Sequence, residues 1–222
     1  LRCAEIIIPV CEALDAAHTS GLVHRDIKPD NIFLHQSSQG EVVKVVDFGI
    51  AKLVGDTLNF DLDALTQSGI VGTPTFIAPE RLSNKHYDGQ ADVYSVGVML
   101  YRMLAGRLPF QIEDKNNVWA VALMHLKENP PKLRDINPTI STDIETLVMR
   151  LLDKEPENRP KAKEVAKEFA KIVGFQANLK NTGKVFLTAD DNNVLEANTI
   201  KINNSTSEDI TITLDKNSTL TK

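Results

Sequence analysis

Apolar residues recur at Ile7, Cys11 and Leu14, with Val10 and Ala17 beside them and His18 continuing the stripe. That spacing follows one face of a helix, and Gly21 supplies the stop. Pro9 conflicts with it, because proline removes a backbone donor and crowds the preceding turn. The pattern therefore predicts either a kink at Pro9 or a helix start near it. Further on the period shortens. Residues 32–35 and 42–46 are extended runs joined by Gln36-Ser37-Ser38-Gln39-Gly40, and together they predict a small hairpin. Residues 93–104 are apolar on nearly every side, which marks a helix buried all round. Further helices are expected at about 115–127, 142–153 and 161–173, punctuated by prolines at 130, 131, 138, 156 and 160.

Two stretches break the pattern. Residues 50–77 carry scattered polar residues with Gly55, Gly69, Gly72 and Pro74, and a loop of that length in a compact domain is usually functional or disordered. After Gly174 proline disappears and Asn and Thr crowd in, while Ile200, Ile202, Ile210, Ile212 and Leu214 alternate in two patches that suit strands. Residues 1–174 thus read as one domain. Residues 175–222 read as an Asn/Thr-rich tail, either flexible or the start of a β domain cut short.

Composition narrows the classes. The chain has 222 residues, 42% hydrophobic and 25% charged, as for an ordinary globular domain with an appendage. A net charge of −5 argues against nucleic acid as the main partner. No apolar run approaches the roughly 18 residues of a membrane span. Cys3 and Cys11 would lie about 12 Å apart on a helix, too far for the disulfide limit of about 7 Å. Two unpaired thiols suit a reducing, cytoplasmic compartment. His18, His35, His86 and His125 show no metal-ligand spacing and read as structural or surface residues. The chain does not begin with Met, and position 1 reads as the inside of a helix, so a truncated chain is expected.

The candidate chemistry lies around the hairpin. His24-Arg25-Asp26-Ile27-Lys28-Pro29-Asp30-Asn31 falls between the first helix stop and the first extended run, and Asp47-Phe48-Gly49 follows the second run. Asp26, Asn31 and Asp47 therefore sit on loops flanking one hairpin and can converge. Asp and Asn oxygens together with phosphate suit Mg²⁺, a hard octahedral ion. A further Asp can accept a proton, and Lys28 places a cation near developing negative charge. Such a set suits phosphoryl transfer.

These residues, with Ala78-Pro79-Glu80, the run Asp92-Val93-Tyr94-Ser95-Val96-Gly97 and the late Arg159, resemble the protein kinase family. The likeness is strongest to the C-terminal lobe of eukaryotic-like (bacterial Hanks-type) Ser/Thr kinases. It implies an α+β, protein kinase-like fold: a mainly α-helical C-terminal lobe with a small β-hairpin at the active site. By the resemblance, Asp26 is the catalytic base and Lys28 touches the transferring phosphoryl group. Asn31 and Asp47 hold Mg²⁺ on ATP, and Phe33 floors the adenine. Lys28 and Thr73 imply protein Ser/Thr substrates. Arg25 is expected to pair with a phosphate on the activation loop, with Thr66 and Ser68 as the candidate phosphosites. Glu80 is expected to pair with Arg159, Asp92 to hold the backbone of the His24–Arg25 turn, and His24 to stack on Phe48.

Three parts of the family are not found in the chain: the Gly-rich loop, the Lys of the third strand and its Glu partner. All belong to the N-terminal lobe, so the chain alone is expected to show negligible kinase activity. The resemblance places the kinase domain in the cytoplasm and leaves membrane anchorage of the intact protein open. The alternative is a pseudokinase or scaffold that binds protein partners. Pseudokinases commonly lose the base, the Asn or the metal-binding Asp, whereas Asp26, Lys28, Asn31 and Asp47 are all present. A small-molecule kinase is disfavoured by Ala78-Pro79-Glu80 and the long activation segment.

Overall fold

The computed structural model describes residues 2–38, 40–48, 75–83, 87–112, 118–174, 186–187, 200–202 and 210–214. Helix α1 (Arg2–Thr19) leads into a hairpin of β1 (Ile32–Ser37) and β2 (Gly40–Val45). Six helices follow: α2 (Pro79–Leu82), α3 (Gln90–Ala105), α4 (Val118–Lys127), α5 (Leu133–Ile136), α6 (Thr142–Leu151) and α7 (Ala162–Val173). Single 3₁₀ turns occupy Pro29–Asn31 and Pro156–Asn158.

Helix α3 is the hub. Every residue from Ala91 to Tyr101 is buried, as its all-round apolar sequence requires. Asp88 Oδ1 accepts from Gln90 N at 2.9 Å where the helix starts, and Gly106 ends it at φ 71°, a left-handed position that glycine takes without strain. Helices α1 and α6 both pack on α3, and α7 lies along α1. The α3–α6 crossing depends on Gly97, where a Cβ would come 2.7 Å from Leu151 Cβ. The core gathers Ile7, Leu14, Ile27, Phe48, Tyr94, Leu100, Leu147, Leu151 and Phe169.

Helix α1 runs unbroken through Pro9, so it does not start there. Ile7, Ile8, Val10 and Cys11 are all buried around that proline, and burying four apolar side chains outweighs one missing backbone bond. Helices α2 and α5, of four residues each, carry too few positions to show a period in the sequence. The hairpin pairs Ile32 with Val45 and Phe33 with Lys44, in antiparallel register. In the tail, β4 (Ile200–Ile202) and β5 (Ile210–Leu214) are strands where the alternation suggested, and they pair antiparallel. The two-residue β3 (Phe186–Leu187) pairs parallel with β5. Cys3 and Cys11 are buried free thiols, and burial pushes the Cys11 thiol well above its usual range. Among the described residues no helix is long and apolar enough to cross a membrane.

Candidate active site

The loop between α1 and β1 has no regular ladder, so side chains must satisfy its backbone. Asp92, in the first turn of α3, supplies two of those partners. Its Oδ2 accepts from His24 N at 2.8 Å and its Oδ1 from Arg25 N at 2.8 Å. The carboxylate is only 1% exposed, and His18 Nε2 also lies 2.8 Å from Oδ2. A buried carboxylate is tolerated when its oxygens are fully engaged, and three partners achieve that here. Arg25 adopts φ 72°, a conformation that non-glycine residues seldom take, and the Asp92 bonds hold it there.

His24 ties this loop to the one after β2. Its Nε2 donates to Val46 O at 2.8 Å, and its Nδ1 accepts from Asp26 N at 3.2 Å. A carbonyl can only accept and an amide N–H only donate, so both bonds require the neutral ring with its proton on Nε2. Burial agrees, holding the His24 pKa below its ordinary value although Asp92 pulls it upward. The ring sits 4.5 Å from that of Phe48, tilted by 49°. Val46 N donates to Asn31 O at 3.0 Å. Both backbone groups of Val46 are thus fixed, and they deliver Asp47 at φ 57° with an exposed side chain. One imidazole and one carbonyl therefore bring the loops of Asp26, Asn31 and Asp47 together.

Within the first loop, Lys28 Nζ donates to Asp26 Oδ2 at 2.8 Å. Asn31 Nδ2 donates to Asp26 O at 2.7 Å and to Asp26 Oδ2 at 3.2 Å. Because the Asp26 carbonyl can only accept, the amide orientation of Asn31 is fixed and its Oδ1 points away from those bonds. Amide and carboxylate oxygens such as those of Asn31 and Asp47 are the hard donors that Mg²⁺ takes. Phe33 lies on β1 with 55% of its surface exposed, beside Leu34 at 44%. Consecutive strand residues point to opposite faces, so Phe33 presents its exposed ring on one face of the hairpin and Leu34 lies on the other.

Away from the loops, Arg159 meets Glu80 as a buried fork: Nη1 to Oε1 at 2.7 Å and Nη2 to Oε2 at 2.9 Å. The same guanidinium donates to the carbonyls of Gln90, Asp153 and Lys154. Thr66, Ser68 and Thr73, named from the sequence, lie outside the described residues, as does His86. His35 is exposed on β1.

The structure also assigns partners to residues that the sequence left as bland. His18 sits on the apolar stripe of α1, and a polar residue at a core position is a signal that a buried partner awaits it. Ser95 Oγ donates to Phe76 O at 2.6 Å, anchoring the segment before α2. His125 is fully buried, and its Nδ1 lies 2.9 Å from the Tyr94 hydroxyl. Burial and then the nearby Lys154 ammonium hold the His125 pKa down to about 3, and burial lowers that of Lys154 to about 8.

A polar loop pinned by a buried helix-borne carboxylate thus meets a hairpin with an acid after its second strand, the arrangement expected of a protein kinase-like C-terminal lobe. The family model described as protein kinase domain matches residues 2–169, and the chain belongs to the protein kinase family. Serine/threonine-protein kinase Pkn1 of Myxococcus xanthus is 43% identical over 156 residues, 69% of this chain and 21% of that protein. Serine/threonine-protein kinase PknB of Mycolicibacterium smegmatis is 35% identical over 198 residues, 88% of this chain and 30% of that protein. The chain thus spans between 21% and 30% of the length of these curated relatives. The crystal structure of the Mycobacterium tuberculosis PknI kinase domain matches with a TM-score of 0.53 at 25% identity, covering 77% of this chain and 54% of that one. These relatives support the Hanks-type Ser/Thr kinase family and the partial kinase fold. ATP and, typically, Mg²⁺ are the ligands that family implies.

Proposed function

We propose that the protein transfers the γ-phosphoryl group of ATP to Ser or Thr hydroxyls of proteins. One observation carries this reading: Asp26 lies within one hydrogen-bonded loop with Lys28 and Asn31, and His24 and Val46 lock that loop to the one bearing Asp47. In the proposed step the substrate hydroxyl oxygen attacks the γ-phosphorus. The new O–P bond forms as the bond to the β–γ bridging oxygen breaks, ADP leaves with the electron pair, and Asp26 takes the hydroxyl proton. Lys28, bonded to Asp26, faces the charge that develops on the transferring group. Asn31 and Asp47 would hold Mg²⁺, whose charge offsets that of the phosphate oxygens. Phe33 would lie under the adenine.

Lys28 beside the base supports Ser/Thr rather than Tyr substrates, as do the names of the relatives. Thr66 and Ser68 are proposed as regulatory phosphosites that Arg25 would bind. The family match over residues 2–169 supports assigning 1–174 to the catalytic domain and 175–222 to a separate segment.

The test is Asp26→Asn in the full protein, with phosphate transfer to a Ser/Thr protein substrate measured. Loss of about 100- to 10,000-fold in rate is expected for removal of a general base. An unchanged rate would point to a scaffold role or a different base.

A further inference from the structure

The residue just before Asp26 is held from two sides. Asp92 takes the N–H groups of His24 and Arg25. The carbonyl of Arg25 accepts from Arg81 Nη1, which reaches across from α2. The next peptide groups are engaged as well, Asp26 N by His24 Nδ1 and Asp26 O by Asn31 Nδ2. Arg81 is the one described partner of these groups that comes from the α2 segment. Its guanidinium lies over the Tyr87 ring, 5.5 Å from the centroid, as does that of Arg25 at 5.7 Å. Among the described residues its buried Nε has no hydrogen-bond partner, while its Nη1 donates to the Arg25 carbonyl. Next to it in sequence, Glu80 is locked to Arg159, so α2 is a rigid mount.

We infer that Arg81 is a positioning residue for the phosphotransfer reaction: through the Arg25 carbonyl it sets the peptide plane from which Asp26 projects. Arg25 sits at φ 72°, a conformation non-glycine residues seldom take, and this bond and that of its N–H to Asp92 hold its backbone there. A base misplaced by about 1 Å costs on the order of 100-fold in rate, so a single bond to this carbonyl is worth measuring in kcat. The bond also joins α2, which follows the activation segment in the chain, to the catalytic loop. A shift of α2 would therefore be felt at Asp26. The inference rests on the kinase reading proposed above.

The test uses the full protein with Arg81→Met, which keeps the length over Tyr87 but removes the donor, and Arg81→Lys, which restores one. Phosphate transfer to a generic Ser/Thr protein is measured for kcat and for KM of ATP, alongside thermal melting and amide hydrogen exchange over residues 22–32. In Arg81→Met kcat is expected to fall about 10- to 100-fold with KM for ATP within about twofold. Exchange over 22–32 should quicken while the melting temperature holds, and Arg81→Lys should recover most of kcat. Unchanged kcat and unchanged exchange in Arg81→Met would overturn the inference. So would equal losses in both variants accompanied by a falling melting temperature. If the parent shows no Asp26-dependent transfer, the kinase reading fails, and the exchange data still decide whether Arg81 holds the loop.

Discussion

Replacing Arg159 by Met is expected to cost far more than an average substitution. Arg159 is 3% exposed and forms a two-pronged pair with Glu80, itself 3% exposed. Removing the cation strands a buried carboxylate, which costs about 3–5 kcal/mol. It also strips a donor from the carbonyls of Gln90, Asp153 and Lys154, so the upper half of that range applies. For a domain of this size, each kcal/mol lowers the melting temperature by about 2–4 °C, so a fall of about 8–20 °C should follow. Glu80→Leu alone should also destabilise strongly, because it strands the guanidinium. The double variant should recover part of the sum, since two apolar residues leave no orphaned charge. A coupling energy of about 2–3 kcal/mol is expected from the cycle. Thermal and urea unfolding of the four proteins by circular dichroism provides the measurement. An Arg159→Met protein melting within about 2 °C of the parent, or single effects that add within about 0.5 kcal/mol, would refute the reasoning.

Other outcomes follow from the same geometry. His125 stays neutral in the fold down to about pH 3 but takes a proton near 6.5 when unfolded, so the unfolded state binds more protons below that value. Stability should therefore fall by about 2 kcal/mol between pH 7 and pH 5 through this group alone, and the slope should flatten in His125→Gln; parallel slopes in urea titrations would sink the assignment. Gly97→Ala forces a Cβ to 2.7 Å from that of Leu151 and should cost about 1–3 kcal/mol by parting α3 from α6, as read from the urea midpoint. Phe33→Ala removes a half-exposed side chain and should leave stability within about 0.5 kcal/mol while raising KM for ATP. A stability loss without a change in KM would show that Phe33 packs rather than binds.

The periodicity of the chain was enough to find the long helices, the hairpin and two of the tail strands, because each is a local pattern of side chains set against water. The motif spacing was enough to bring Asp26, Asn31 and Asp47 to one end of one hairpin. Tertiary structure decided what held them there. The family resemblance already gave Asp92 the His24–Arg25 backbone, but that His18 would join it depends on α1 and α3 crossing at that level, 74 residues apart in sequence. That α1 would pass through Pro9 was set by burial of its neighbours, a cost and gain that no local rule weighs together. The reach of Arg81 to the Arg25 carbonyl and the neutral His125 against Tyr94 depend on side chains meeting across elements. Sequence fixes what each residue can donate, accept or bury; only the packed chain determines which partner is within 3 Å of it.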